Sequence, residues 1–161
     1  MTMKTIILFT VSLLSLTVYS QDTTKVKQID ALVYQINNSD FKTQRDTIKN
    51  DRPQLGLSMR TYLTMVTDGI ELKKYVNNVH ATTQENGTTK QMVATNAFYF
   101  DHNKLIKVEE FATQGDKKID ALWYYADDKP IYFTLKSDKA QERAELLLAM
   151  AKSMLEKMGF K

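Results

Sequence analysis

The chain has 161 residues, of which 43% are hydrophobic, a formal net charge of +3 and no cysteine. A charge this close to zero argues against the basic surface that binds nucleic acids or anionic membranes. Without cysteine there are no disulfides, so apolar burial and strand pairing must stabilise the fold.

The N-terminal segment has the pattern of a secretory signal peptide. Lys4 supplies a positive charge, and residues 6–18 form an apolar run that is too short to span a bilayer, which takes roughly 20 apolar residues. Ser20 stands where a signal peptidase reads a small side chain. We therefore expect residues 1–20 to be a cleaved signal peptide and residues 21–161 to be one exported domain without a transmembrane segment. An exported domain free of cysteine fits the periplasm or the exterior of a Gram-negative bacterium.

The first predicted element of this domain is an amphipathic helix at residues 24–37. Ile29 and Val33 lie among apolar residues that recur at spacings of three and four, which places them on one helical face. Residues 38–56 are polar. We interpret them as a connection that includes a short edge strand near residues 41–48.

Residues 57–136 change to an alternating pattern, with β-branched and aromatic side chains between regularly spaced turn signals. The turn signals are Asp68-Gly69, Asn86-Gly87, Asp101-His102-Asn103, Gln114-Gly115-Asp116 and Asp127-Asp128. The predicted strands are residues 57–66, 70–84, 89–100, 104–113, 118–125 and 129–136. Six strands joined by short turns form an antiparallel meander, which we expect to be a curved sheet.

Turn chemistry predicts how the later strands pair. A three-residue loop with Asn103 in the left-handed conformation pairs Phe98 with Ile106. The next hairpin repeats this pattern 25 residues later and pairs Trp123 with Ile131. The predicted core face consists of Phe98, Phe100, Ile106, Val108, Ile119, Trp123, Tyr125, Ile131, Phe133 and Leu135.

The apolar residues of the first two strands do not alternate regularly throughout, so the turn between them and one irregularity must be specified. A three-residue loop with Gly69 left-handed places Met65 on the core face. Val76 and Val79 follow opposite parities in the second strand, so we predict a β-bulge near Asn77-Asn78.

The last element, at residues 138–158, is the clearest predicted helix. Ala144, Leu147 and Ala151 share one apolar face, and Gly159 ends the helix. The predicted fold is therefore α+β, with an N-terminal helix, a six-stranded antiparallel meander and a C-terminal helix packed on the sheet.

A family resemblance rests on three segments, FYFDHNKLIKVEEF, WYYADDKPIYF and ERAELLLAMAKSMLEKM. Through them the chain resembles small exported proteins of Gram-negative bacteria that have no assigned activity and whose hairpins carry a YYFD-x-x-KLI pattern. The hairpins are also loosely similar to MORN-type repeats, although Asn103 and Asp128 stand where those repeats have glycine. The resemblance implies export and assigns no functional residue.

One acidic residue falls on the predicted core face. Glu110 stands there beside Ala121, where an ionised carboxylate is costly unless it is paired. Asn96 is a diagonal neighbour and Asn77 is expected nearby, so these three residues predict a polar pocket. The alternatives are that Glu110 reaches solvent at the rim of the sheet or pairs with a lysine of a helix. Glu109 points to the opposite face, so the two acids do not form a catalytic dyad.

The opposite face of the sheet carries an aromatic row. The members of this row are Tyr99, Phe111, Tyr124 and Tyr132, with Lys107 beside them. Amphipathic aromatic surfaces bind proteins, peptides and glycans, so these residues predict a binding surface. The alternative is that a helix covers this face or the sheet curls over it.

The sequence contains no motif for nucleophilic catalysis or phosphate binding, and its two histidines lack metal-ligand spacing. We therefore predict no metal, no cofactor and no catalytic residue. The favoured function is a non-catalytic exported module that binds an envelope protein, a peptide or a glycan through its sheet surface. The alternatives are a hydrolase-like enzyme that uses Glu110 and a carrier of a small apolar ligand.

Overall fold

The structure, a computed structural model, describes residues 23–85 and 87–160. The predicted signal peptide, residues 1–20, and Asn86 of one predicted turn lie outside these residues. The elements in chain order are α1 (Thr23–Asn38), β1 (Lys42–Arg52), β2 (Leu57–Thr67), β3 (Leu72–Glu85), β4 (Thr88–Asp101), β5 (Lys104–Gln114), β6 (Lys117–Ala126), β7 (Lys129–Phe133) and α2 (Ala140–Met158), with a 3-10 turn at Pro53–Leu55.

The strands form one antiparallel sheet in sequence order, with β1 and β7 at its two edges. The α+β prediction is therefore confirmed, but the described residues contain seven strands rather than six. The additional strand is β1, which is longer than the short edge strand expected near residues 41–48. The side chains of β1 are exposed along nearly all of its length, so it shows no apolar alternation from which its extent could be predicted.

The two helices pack on opposite faces of the sheet. On one face, α2 covers a cluster built around Phe98, Phe100, Leu105, Val108, Trp123 and Tyr125. On the other face, Ile29 and Val33 of α1 cover a second cluster that contains Ala97, Tyr99, Ile106 and Tyr124. The sheet therefore has a core on each side. No helix in the described part of the chain has the length and apolarity needed to cross a bilayer.

The predicted pairing within the two late hairpins is wrong, because each hairpin contains a β-bulge that the prediction lacks. Phe98 pairs with Val108, and a two-residue turn at His102-Asn103 brings both of these turn residues to positive φ. The register then shifts between Tyr99 and Phe100. This bulge turns Ile106 to the α1 face instead of the predicted core face.

The second late hairpin repeats the same arrangement. Trp123 pairs with Phe133, both Asp127 and Asp128 have positive φ, and the register shifts between Tyr124 and Tyr125. Ile131 therefore packs against the α1 cluster, as Ile106 does. The two hairpins agree in turn type and in bulge position, as their 25-residue sequence repeat suggests.

Between these hairpins the predicted register is confirmed. Val108 pairs with Trp123, and Ala112 pairs with Ile119. Ile119 nevertheless remains 46% exposed, because the α2 cluster does not extend to it.

The predicted bulge in β3 lies at a different position. Pairing of β2 with β3 is regular past Asn77-Asn78, and the register shifts instead at Val66 and Thr67, next to the turn. This shift explains the two parities in β3: Lys73 has no partner in β2, so Leu72 lies in the α2 cluster although Val76, four residues later, contacts the α1 cluster. Gly69 is left-handed as expected, but the expected three-residue loop, Thr67 to Gly69, is wrong: Thr67 belongs to β2, and four residues separate it from Leu72.

Candidate functional site

A row of polar side chains crosses the α2 face of the sheet. Asn77 of β3 stands opposite Asn96 of β4, which in turn stands opposite Glu110 of β5. Residues opposite one another on neighbouring strands have Cβ atoms about 5 Å apart. The three residues of the predicted polar pocket therefore lie together, with Asn96 directly beside Glu110 rather than diagonal to it.

Glu110 is held by an ion pair with α2. Its side chain is 10% exposed, and Arg143 Nη2 donates to Oε1 while Nε lies 3.4 Å from Oε2. The partner is an arginine rather than the expected lysine, and a guanidinium contacts both carboxylate oxygens where an ammonium contacts one. This pair joins the sheet to the first turns of the helix.

The two asparagines of the row are left without this kind of partner. Asn77 Oδ1 and Asn96 Oδ1 are buried, and neither accepts a hydrogen bond from residues 23–85 or 87–160. A buried carbonyl oxygen without a donor costs free energy, since it has lost water and gained nothing in return. The row therefore ends in two buried acceptors that have no donor in the described part of the chain.

An apolar groove separates α2 from the sheet beside this row. Its volume is about 560 Å³. We call it the α2 groove; it is lined by Tyr75, Asn77 and Phe98 of the sheet and by Leu146, Ala149, Met150, Ser153, Met154, Lys157 and Met158 of the helix. Asn77 thus contributes an amide to a groove whose other walls are mainly hydrocarbon and thioether.

The groove continues toward the edge strand β1. A second depression of about 530 Å³ shares Tyr75 and Met158 with it and extends along Leu63 and Met65. Its rim carries the charged side chains of β1, including Arg45. Together the two depressions provide an apolar path from the asparagines to the edge of the sheet.

Three large apolar side chains of α2 are exposed within the α2 groove. Leu146 is 50% exposed, Met150 42% and Met158 37%, whereas Ala144, Leu147 and Ala151 on the neighbouring stripe are fully buried against the sheet. The helix therefore carries a second apolar stripe that the fold itself does not cover.

The α1 face differs from the sequence prediction in its exposure. Tyr99 and Tyr124 are nearly fully buried, and Lys107 is 6% exposed. The α1 helix covers these side chains, so the alternative of a covering helix is the one found. The expectation that these three side chains form an open surface is therefore wrong, because they belong to the second core.

Lys107 anchors that core through charge. Its Nζ lies 2.9 Å from Asp30 Oδ1 of α1 and 3.0 Å from Glu109 Oε1 of the same strand. The Tyr124 hydroxyl donates to Asp30 at 3.0 Å. Burial by itself lowers the pKa of Lys107, but the hydrogen bonds to Asp30 and Glu109 outweigh burial and raise it.

The other two residues of the predicted aromatic row remain partly accessible. Phe111 is 37% exposed, with Lys118 Nζ 5.4 Å from its ring centroid. Tyr132 is half-buried and lies against Tyr124 at a centroid distance of 5.6 Å. They lie on the α1 face, on the opposite side of the sheet from the α2 groove.

Metal binding finds no support in the described residues. His102 is exposed in a turn, and His80 is exposed with its ring against Tyr62. Within residues 23–85 and 87–160, no three histidine, aspartate or glutamate side chains are grouped so as to hold a metal ion.

Sequence reasoning missed the helix side of the groove. The run Leu146-Leu147-Leu148-Ala149-Met150-Ala151 has more apolar residues than one helical face can bury, which is the signal for a second stripe. No protein-family model matches the chain, and no curated protein or solved structure matches it either. The function must therefore be argued from these contacts.

Proposed function

We propose that the protein is a non-catalytic binding protein that holds a small apolar or amphiphilic ligand in the α2 groove. The observation that carries this proposal is the exposure of Leu146, Met150 and Met158 in one concave site. Exposed apolar side chains that line a groove gain free energy when a ligand removes them from water.

The composition of the groove suits a hydrocarbon ligand. Met150, Met154 and Met158 lie on one flank, and unbranched thioether side chains adapt to the shape of what they contact. Tyr75 and Phe98 form the opposite wall, where flat rings offer large contact areas. A site with these walls binds by shape and burial, and its few polar atoms orient the ligand.

This proposal replaces the favoured sequence hypothesis with one of its alternatives. Tyr99, Tyr124 and Lys107 serve to dock α1, which leaves the α2 face as the better support for binding. The hydrolase alternative is weakened because Arg143 engages both oxygens of Glu110. A carboxylate held in this way ties two elements together, and both of its oxygens already accept from the guanidinium.

We also propose that binding takes place outside the cytoplasm, in the periplasm or beyond it. The support is the sequence pattern of residues 1–20, with Lys4 before an apolar run and Ser20 at the expected cleavage position. An apolar molecule that must cross an aqueous compartment needs a protein that shields it from water.

A fluorescence titration tests the proposed binding. N-phenylnaphthylamine, whose emission rises in apolar surroundings, should bind the wild-type protein saturably. Leu146→Glu and Met150→Glu place a carboxylate in the groove and should each weaken binding roughly tenfold. The matched control is Tyr34→Glu, since Tyr34 is 70% exposed on α1 and lies on the other side of the sheet.

Two outcomes would contradict the proposal. One is the absence of saturable binding, and the other is equal affinity in all four proteins. Light scattering adds a third test, since a second copy of the chain is the competing occupant of an apolar groove. We expect a monomer; a dimer that Met150→Glu dissociates would assign the groove to self-association instead.

A further inference from the structure

The unpaired amide oxygens beside the α2 groove indicate which polar group the ligand of this groove contains. We infer that the ligand is a neutral amphiphile whose hydroxyl or amide N–H group donates a hydrogen bond to Asn77 at the end of the polar row, while its hydrocarbon part lies along the groove. This inference rests on the proposed function and specifies the chemical class of ligand. It starts from two buried acceptor oxygens, Asn77 Oδ1 and Asn96 Oδ1, which have no donor among residues 23–85 and 87–160.

Asparagine is an unfavourable choice at these two positions. Both residues lie inside long strands, where asparagine is depleted relative to β-branched and aromatic residues. Both also point to the face that carries the apolar α2 cluster, where a polar group costs free energy unless it is paired. A ligand donor would supply the missing partner, so the cost to the free protein becomes binding free energy in the complex.

The two asparagines lie side by side, and a rotation of the Asn77 side chain about its own bonds brings its buried oxygen to a ligand in the groove. Asn77 and Asn96 stand directly opposite each other on β3 and β4, at a separation of about 5 Å between Cβ atoms. Asn77 itself lines the α2 groove, next to Phe98 and the methionines of α2. A ligand whose donor group binds at Asn77 therefore has room for an apolar chain along the groove. This chain would pass Tyr75 and Met158 and extend toward Leu63 and Met65.

The charges around this point favour a neutral polar group. A carboxylate placed against the Asn77 oxygen would be repelled by that oxygen and would approach Glu110, which stands in the same row. An ammonium group would face Arg143, which pairs with Glu110, and Lys157, which lines the groove. Each charged group would be repelled by a like charge or by an amide oxygen. A hydroxyl or amide N–H group carries no net charge and donates to the oxygen, so it is not repelled.

Competition with N-phenylnaphthylamine tests the inference separately from the proposed function. Decanol and decyl methyl ether have the same chain, but the ether lacks the donor. Decanol should displace the probe from the wild-type protein at a roughly tenfold lower concentration than the ether, since the ether leaves the Asn77 oxygen unpaired. Decanoate and decylammonium should both compete less well than decanol.

Leucine variants locate the preference. Asn77→Leu should bind the ether as well as the alcohol, because the acceptor that lines the groove is gone and the apolar surface remains, whereas Asn96→Leu should keep the preference. The matched control is Asn78→Leu, since Asn78 Oδ1 is also buried without a donor but points to the α1 face. It should keep the tenfold preference. Thermal melts of all three variants verify that they are folded before binding is compared.

The outcomes separate the two proposals. Equal displacement by decanol and ether, with normal probe binding, would overturn the inference and leave the proposed function standing. Stronger competition by decanoate would also overturn it and point to Lys157 and Arg143 as the groups that contact the ligand's polar end. No binding of the probe would overturn the proposed function itself.

Discussion

Lys107 connects α1 to the sheet through a buried ammonium group. It contacts Asp30 of α1 and Glu109 of β5 at the same time, and its side chain is only 8% exposed. Surface ion pairs contribute little because water and salt screen them; here the ammonium group is withdrawn from water, while the carboxylates of Asp30 and Glu109 are 47% and 38% exposed. The α1 helix also packs Ile29 and Val33 against the sheet, so apolar contacts and this charged contact together attach it.

Replacing this lysine should destabilise the protein. Lys107→Met keeps the apolar stem but leaves Asp30 and Glu109 without their cation, and we expect a loss of about 1–3 kcal/mol in the free energy of unfolding at neutral pH. Urea denaturation followed by the fluorescence of Trp123 measures it. Lys118→Met is the control: its pair with Asp120 is mostly exposed, so its loss should be close to zero. Equal effects of the two changes would show that the Lys107 contacts are not stabilising.

The same pair of proteins gives a prediction for pH. The pKa of Lys107 is raised above its ordinary value of 10.5 in the folded protein, so the unfolded chain loses this proton first. The stabilisation is therefore fully present below the unfolded-state pKa and is lost as pH rises through the folded-state pKa. The difference between wild type and Lys107→Met should be constant from about pH 7 to pH 10 and should shrink above it. A difference that grows above pH 10 would contradict the assignment.

At the scale of elements, the late hairpins are defined by two-residue turns in which both residues are left-handed. Asp127 has φ of 49° and Asp128 has φ of 60°. Such turns favour Asn-Gly or Asp-Gly, because glycine adopts positive φ without strain. Asp128 is therefore a strained position, and its ion pair with Lys152, at 3.3 Å between exposed side chains, offsets little of that strain.

Asp128→Gly should stabilise the protein by roughly 0.5–1 kcal/mol, because it relieves the positive φ in the second turn position. The control is Asp116→Gly, since Asp116 lies in the neighbouring hairpin turn without a positive φ. There glycine only adds freedom to the unfolded chain, so a loss of similar size is expected. Thermal unfolding midpoints of both variants measure the difference; stabilisation by neither, or by both alike, would contradict the turn assignment.

The limits of sequence reasoning are visible in these same hairpins. A three-residue loop and a two-residue turn followed by a bulge begin with the same residues, and they differ in whether Ile106 and Ile131 face α2 or α1. The choice depends on packing beneath α1, which the turn residues themselves do not determine. Where both faces alternate cleanly, as between Val108 and Trp123, the predicted register is confirmed.

The candidate site was predictable on its sheet side and not on its helix side. Alternation and turn chemistry place Asn96 and Glu110 on one face, and the observed strand register brings Asn77 into the same row. The partner of Glu110 is Arg143, which is distant in sequence and comes from a helix whose position depends on tertiary packing. The α2 groove depends on that same packing, so periodicity within any one element cannot reveal it.

At the scale of the whole molecule, the two faces of the sheet are covered unequally. The α1 side combines apolar contacts with a charged anchor at Lys107 and buries its aromatic residues. On the other side, α2 buries one stripe and leaves Leu146, Met150 and Met158 exposed above Tyr75 and Phe98. This unequal covering is the physical basis for assigning ligand binding to the α2 side.

Methionine methyl NMR tests this assignment most directly, because methionines line the α2 groove and also lie elsewhere on the sheet. With isotope-labelled methionine methyl groups and increasing decanol, the account predicts that the signals of Met150, Met154 and Met158 shift together and saturably. Met59 and Met92, which do not line the groove, should stay in place. Shifts confined to Met59 and Met92, or no saturable shift at any methionine, would contradict ligand binding between α2 and the sheet.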